Sequence, residues 1–186
     1  MAAAAAPHHV PPHAVRIRHA TLQDAAHLLA IEQSAAGLFR GAAGLEGLAD
    51  GPGMAQPEHE RLILQGAVWV AEAAPGQLVG FLDAEAFGQE LHLWELSVHA
   101  DWQRMGIGTR LIQAAQAHAA AQGLVALTLT TFADLPWSAP AYARLGFRPI
   151  SPPGPRLQWV MDVEATHGLP MGRRVAMRMG VDRPLI

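Results

Sequence analysis

Residues 102–110 read WQRMGIGTR, two glycines separated by one residue between arginines, and the residues after them have the spacing of a helix. Ile107, Leu111, Ile112, Ala115 and Ala119 fall on one face of that helix, and Gly123 ends it. Before the stretch, ELHLWELSV at 90–98 reads as a strand. The segment is therefore a strand-to-helix junction. A helix start leaves about four backbone N–H groups without partners and carries a partial positive charge, so an anion binds there when the backbone can come close. Gly106 and Gly108 permit that approach, and Gln103, Arg104 and Arg110 supply side-chain donors suited to phosphate oxygens. A pyrophosphate is the natural guest. A P-loop would need a lysine that is absent here, and the dinucleotide fingerprint would need a third glycine where Leu111 stands. The competing reading is a tight turn that holds nothing.

Working outward, VRIRH at 15–19 alternates like a strand. Thr21 with Asp24 forms a capping-box pattern ahead of a helix carrying Leu22, Leu28, Leu29 and Ile31. Residues 41–57, rich in glycine and proline, form a mobile connection near the first helices, followed by a short helical run from Glu58 to Gln65. AVWVAEA (67–73) and QLVGFLDAEAF (77–87) flank Pro75 and Gly76 as a hairpin. After the glycine motif and its helix come a strand LVALTLTTF (124–132), a short helix APAYARL (139–145) and a strand beginning GFRPI. A helix spans about 157–166, and RVAMRMGV (174–181) is the last strand. The order is β-α-α-β-β-β-α-β-α-β, then a helix and a strand.

Composition narrows the function. The 186 residues suit one domain, placed at 15–186, behind a disordered arm over 1–14 whose His8, His9 and His13 lack a carboxylate or cysteine to complete a metal site. With 51% hydrophobic and 16% charged residues the chain can build a core. A net charge of −3 gives no basic excess for nucleic acid. No cysteine means no disulfide framework, no thiolate metal site and no sulfur nucleophile. No segment approaches 18 uninterrupted apolar residues, so the expectation is a soluble, cytoplasmic protein without membrane or nucleic-acid partners.

Three blocks together carry a resemblance. VHADWQRMGIGTRLIQAA resembles the acyl-CoA-binding signature of the GNAT superfamily of N-acetyltransferases, with Gln103, Gly106 and Gly108 at its Gln/Arg-x-x-Gly-x-Gly/Ala positions. APAYARLGF is similar to that family's last core helix, and IRHATLQDAAHLL to its opening strand and helix. ELSVHADWQRMGIG, LTTFADLPWSAPAYARLGF and IEQSAAGLFR are similar to a bacterial subgroup whose acetyl acceptors are unassigned. The resemblance covers about residues 15–150 and implies an α/β (α+β) fold. That fold has a mixed, mostly antiparallel sheet of six to seven strands, helices on both faces, and a splay between the fourth and fifth strands.

It also implies a reaction, acetyl transfer from acetyl-CoA to a primary amine of a small molecule or protein in a ternary complex, without a metal. A CoA-binding domain that senses or docks without turnover is the alternative. The cofactor site implied comprises Leu96, Ser97 and Val98 on the splayed strand, then Gln103, Arg104, Met105, Gly106, Ile107, Gly108 and Thr109, with Ser138 and Tyr142 beyond. Ser138 stands where the subgroup has an asparagine that contacts the acyl-CoA arm, and a plain helix cap is its other reading. Tyr142, the only tyrosine, takes the general-acid position. Glu95 is the candidate base, with His92 as a backup expected on the opposite face. Thr130 occupies a position where the family has a carboxylate. Glu32 is a candidate for recognising a cationic acceptor. Trp94, Trp102 and Trp137 bracket the cleft. Arg173 and Arg174 read as a solvated strand entrance. Homodimerisation is a further expectation from the family.

Overall fold

The computed structural model describes residue 11 and residues 14–181. The expected arm, with His8, His9 and His13, lies outside them apart from residues 11 and 14.

Seven strands form one sheet: β1 Arg16–His19, β2 Val68–Ala74, β3 Gln77–Phe87, β4 Glu90–Val98, β5 Ala126–Phe132, β6 Arg148–Ile150 and β7 Arg174–Gly180. Their order is β1-β2-β3-β4-β5-β7-β6. Every pairing is antiparallel except β4 with β5. The helices are α1 Ala25–Ala36, α2 Gln56–Leu64, α3 Ile107–Ala121, α4 Ala139–Arg144 and α5 Pro155–Thr166. β3 and β4 have the bounds that alternation gives them. The Thr21–Asp24 box is formed, Asp24 accepting from the Thr21 backbone N–H at 2.7 Å.

The buried residues of α3 are Ile107, Leu111, Ile112, Ala115 and Ala119, and they pack with Leu82, Leu91, Leu127 and Leu129. On the opposite face, Leu28 and Ile31 of α1 and Leu62 of α2 pack on Val68, Val70 and Phe81. α5 joins that second face, since Arg156 and Glu164 reach Thr128 and Thr130 of β5.

Two irregularities of β4 make the site. The ladder with β5 runs only over Glu90, Leu91 and His92 against Ala126–Thr128, so from Leu93 to Val98 that edge parts from β5. In the ladder with β3, Leu93 pairs with Ala84 and Glu95 with Asp83, which leaves Trp94 as one extra residue, a bulge. The extra residue inverts the alternation. Leu93 and Leu96 both pack on the α3 side, while Trp94 packs with the α1 and α2 side. His92 and Glu95 therefore do not face opposite ways as plain alternation predicts. Both lie on the α1/α2/α5 face, opposite Glu85 and Asp83 respectively.

The 41–57 connection is more ordered than its glycine content suggests. It follows a turn of 3-10 helix at Gly37–Gly41 and contains another at Glu46–Asp50, and its end is hooked to α1 by the Met54 N–H donating to Glu32 at 2.9 Å. Gly53, at φ +68°, makes the hook possible, because a Cβ there would lie 2.7 Å from the Leu29 side chain.

Candidate active site

The turn into α3 is built from unusual backbone. Arg104 has φ +60° and Gly106, the residue capping α3, has φ +78°. Left-handed residues in such a turn bring successive N–H groups towards one side, a concavity that suits anions. The first helical bond here runs from the Arg110 N–H to the Gly106 carbonyl at 3.1 Å, so the amides of Ile107, Gly108 and Thr109 precede the helix's own ladder. Gln103 differs from its expected use as a free donor: its amide donates to the Val98 carbonyl at 3.0 Å and ties the turn to the end of β4. Gly108 is not required by the protein's own packing. A Cβ there would meet Leu96 only at 3.8 Å, an ordinary contact, so the glycine leaves room for something else.

A cavity of about 980 Å³ runs along this turn, lined by Leu96, Val98 and residues 102–109. A second, of about 410 Å³, lies between the parted strands on the other side. The two share Ala35, Leu38, Leu96, Trp137 and Tyr142. Tyr142 thus stands at their junction, its ring against Phe147 at 5.6 Å between centroids. Burial pushes its phenol well above the usual range, and the Glu95 carboxylate adds to this, so the hydroxyl holds its proton.

Glu95 and Ser97 line the smaller cavity, where the Ser97 hydroxyl donates to Glu95 at 2.6 Å. The Ser97 side chain is therefore committed to Glu95 and lies away from the larger cavity. Burial raises the Glu95 carboxyl to about 7, with Glu32 and Asp83 pushing the same way and the Ser97 bond and His59 opposing. Glu32 is raised by burial as well, although the Met54 N–H opposes it. Behind them His59 of α2 and Asp83 of β3 form a wholly buried pair, Nδ1 to Oδ2 at 2.6 Å.

His92 is no substitute base. Its buried ring meets Thr128 at 3.1 Å, and burial, with Arg156 nearby, lowers it to about 3. Ser138 occupies the N-cap position of α4, but its side chain makes no capping hydrogen bond. It is buried and lines the smaller cavity.

Residues 65–149 match the family of acetyltransferase (GNAT) domains. Solved structures repeat the architecture at low identity. The PaiA N-acetyltransferase of Thermoplasma acidophilum, solved with coenzyme A, is 13% identical over 89% of this chain and 98% of its own, with a TM-score of 0.66. Ard1 of Thermoplasma volcanium is 17% identical over 91% and 99%, also at 0.66. The ribosomal-protein-S18-alanine N-acetyltransferase of Escherichia coli is 18% identical over 92% and 96%, at 0.61. Residues 65–149 are thus similar to GNAT acetyltransferase domains, and the sheet that contains them has the GNAT fold.

Within this GNAT fold the smaller cavity receives residues that local sequence patterns do not mark. Thr130 has no carboxylate of its own, yet its hydroxyl bonds Glu164 of α5. Arg174 corrects the reading of a solvated strand entrance. Its side chain is 9% exposed, grips Glu164 through Nε at 3.1 Å and Nη2 at 2.6 Å, and lies over the Phe132 ring at 4.8 Å. Arg173 is also engaged, with Asp134 at 2.8 Å and the Ala43 carbonyl at 2.7 Å. Among the described residues, no helix is long and apolar enough to cross a membrane.

Proposed function

We propose that this GNAT domain transfers an acetyl group from acetyl-CoA directly to a primary amine, both substrates being bound together. The observation that carries the reading is the junction at Tyr142. One cavity leads from it to the phosphate-type turn at Arg104–Gly106, the other to Glu95. The diphosphate fits the turn and the first-turn amides of α3. The pantetheine arm fits the edge of β4 left unpaired by β5, with the space beside Gly108 open to it.

An alkylamine has a solution pKa of about 10.4 and arrives protonated at neutral pH. Glu95 takes that proton, directly or through water, and the freed nitrogen attacks the thioester carbonyl carbon. As the N–C bond forms, the carbonyl oxygen gains charge, and backbone N–H groups of the splayed Leu96–Val98 segment are the donors suited to it. The C–S bond then breaks and the departing thiolate takes the Tyr142 proton, while the second proton of the attacking nitrogen passes to the phenolate, directly or through water, and the Glu95 proton leaves to solvent. Without cysteine in the chain, a sulfur-borne acyl-enzyme is not available.

The base assignment makes a signed prediction. A carboxyl raised to about 7 is protonated and idle below that pH, so kcat/KM for the amine should climb as pH rises through about 7. The groups facing Glu95 are Glu32, Asp83, His59, Ser97 and Tyr142, and none is a cation fixed beside it at neutral pH except a protonated His59. Glu95→Gln should remove that limb and cost about 10²-fold in turnover. Release of CoA thiol, followed from pH 5.5 to 9 against a panel of primary amines, reads both. A single limb set by the amine's own pKa, identical in the two proteins, contradicts the assignment.

A further inference from the structure

The smaller cavity has a chemistry of its own, which selects the acceptor and so rests on the acetyl-transfer reading. Among the described residues, its lining carries three carboxylates, Glu32, Glu95 and Glu164, and one cation, Arg174. Arg174 is already taken. Its guanidinium fork engages both oxygens of Glu164, its Nη2 also donates to Thr130 at 3.1 Å, and Phe132 covers it. The two carboxylates left over are Glu32 and Glu95, the second close enough to Tyr142 to act on its phenol. Among the described residues, neither has a cation bonded to it: Glu32 accepts from the Met54 N–H and Glu95 from the Ser97 hydroxyl.

The same cavity is also lined by a contiguous apolar group. Trp137, 37% exposed at the junction with the larger cavity, meets Phe39 edge-on at 6.4 Å, and Phe39 meets Phe132 edge-on at 5.6 Å. Leu48 and Leu169 pack against the same buried cluster as Phe39, the one that contains Phe132, and also line the cavity. An ammonium is attracted by unpaired carboxylates while the hydrocarbon that carries it packs on the apolar wall, where a further charge would only lose its water; a carboxylate entering here would find, among the described residues, no unengaged cation and would be repelled.

We infer that the acceptor is a primary amine carried on an apolar, ring-sized body without a carboxylate, its ammonium placed between Glu32 and Glu95 and its body against Phe39, Phe132 and Trp137. Free α-amino acids are excluded as good substrates by the same lining, and so are long polyamines, whose further charges would lie along the aromatic wall.

The test compares matched pairs on the full chain with saturating acetyl-CoA: phenethylamine against phenylalanine, tryptamine against tryptophan, and spermidine as a third class. The amines should exceed their amino acids by about 30-fold or more in kcat/KM, the penalty expected for an unpaired carboxylate beside like charges. Glu32→Gln should raise KM for phenethylamine about tenfold, with KM for acetyl-CoA unchanged. Phe39→Ala should raise the amine KM in the same way, which an effect of charge alone would not do. Equal or greater activity on the amino acids or on spermidine overturns the inference. So does an unchanged amine KM in Glu32→Gln. Calorimetry with CoA on the same preparations separates the two levels of the account. Binding of CoA together with preference for carboxylated acceptors removes this inference alone, and absence of CoA binding removes the acetyl-transfer reading with it.

Discussion

Tyr142→Phe is expected to lower acetyl transfer by about 10²- to 10³-fold in turnover while leaving CoA affinity nearly intact. The phenol's surroundings are the reason. Burial disfavours the phenolate, and the neighbouring Glu95 charge disfavours it further, so Tyr142 carries its proton at every working pH. A group so placed can give a proton only to a stronger base created on the spot, which is what a departing thiolate is. Phenylalanine keeps the ring and its edge-on contact with Phe147. It also keeps the α4 backbone, where the Tyr142 N–H donates to the Ser138 carbonyl at 3.0 Å. The substitution therefore removes an oxygen and little else. Thiol release under saturating acetyl-CoA, with calorimetric titration of CoA in parallel, separates chemistry from binding. Turnover equal to the unmodified protein would take the residue out of the mechanism.

Asp83→Ala is expected to cost about 3–5 kcal/mol of folding stability. His59 and Asp83 are fully enclosed, 0% exposed on both side chains, and each has a further polar atom without a partner, Nε2 of His59 and Oδ1 of Asp83. Burial raises Asp83, against the pull of His59. Burial lowers His59, but its bond to Asp83 and the acids around it win, and it stands above its ordinary value. Deleting one partner leaves the other buried and uncompensated, which is the costly case. Replacing both by apolar residues, as in His59→Leu with Asp83→Leu, should cost much less than the single change. Urea unfolding measures the difference. A single substitution within about 1 kcal/mol of the unmodified protein would contradict the account, since that is the range of ordinary surface changes.

Much of the fold is legible in the chain because it is written locally. β3 and β4 are apolar runs bounded by short turns, and the buried face of α3 is the one its 3.6-residue spacing marks. The glycine turn is legible for the same reason, since Gly106 sits where a left-handed residue is needed. What alternation hides is the bulge at Trp94. One inserted residue moves Leu96 to the α3 side and brings Glu95 onto the face of His92, and no propensity marks it in advance.

The acceptor side is less legible because its parts come from afar. Glu164 and Arg174 lie more than 60 residues from Glu95 in sequence, Glu164 carries no local signal, and Arg174 reads as solvent-facing until α5 and β7 are laid beside β5. His59 and Asp83, 24 positions apart, carry no pattern that pairs them. Ser138 could be either a cap or a ligand-side hydroxyl from the sequence alone, and its place in the cavity without a capping bond separates it from the plain cap.

The central claim is that backbone amides of the turn at Arg104–Gly106 and of the first turn of α3 hold the diphosphate of coenzyme A. Calorimetric titration with CoA and with pantetheine, which has the arm but no diphosphate, tests it most directly. The account predicts CoA binding at least about 100-fold tighter than pantetheine, the contribution of several charge-assisted hydrogen bonds. Equal affinity for the two, or no heat from CoA at millimolar concentration, would contradict it.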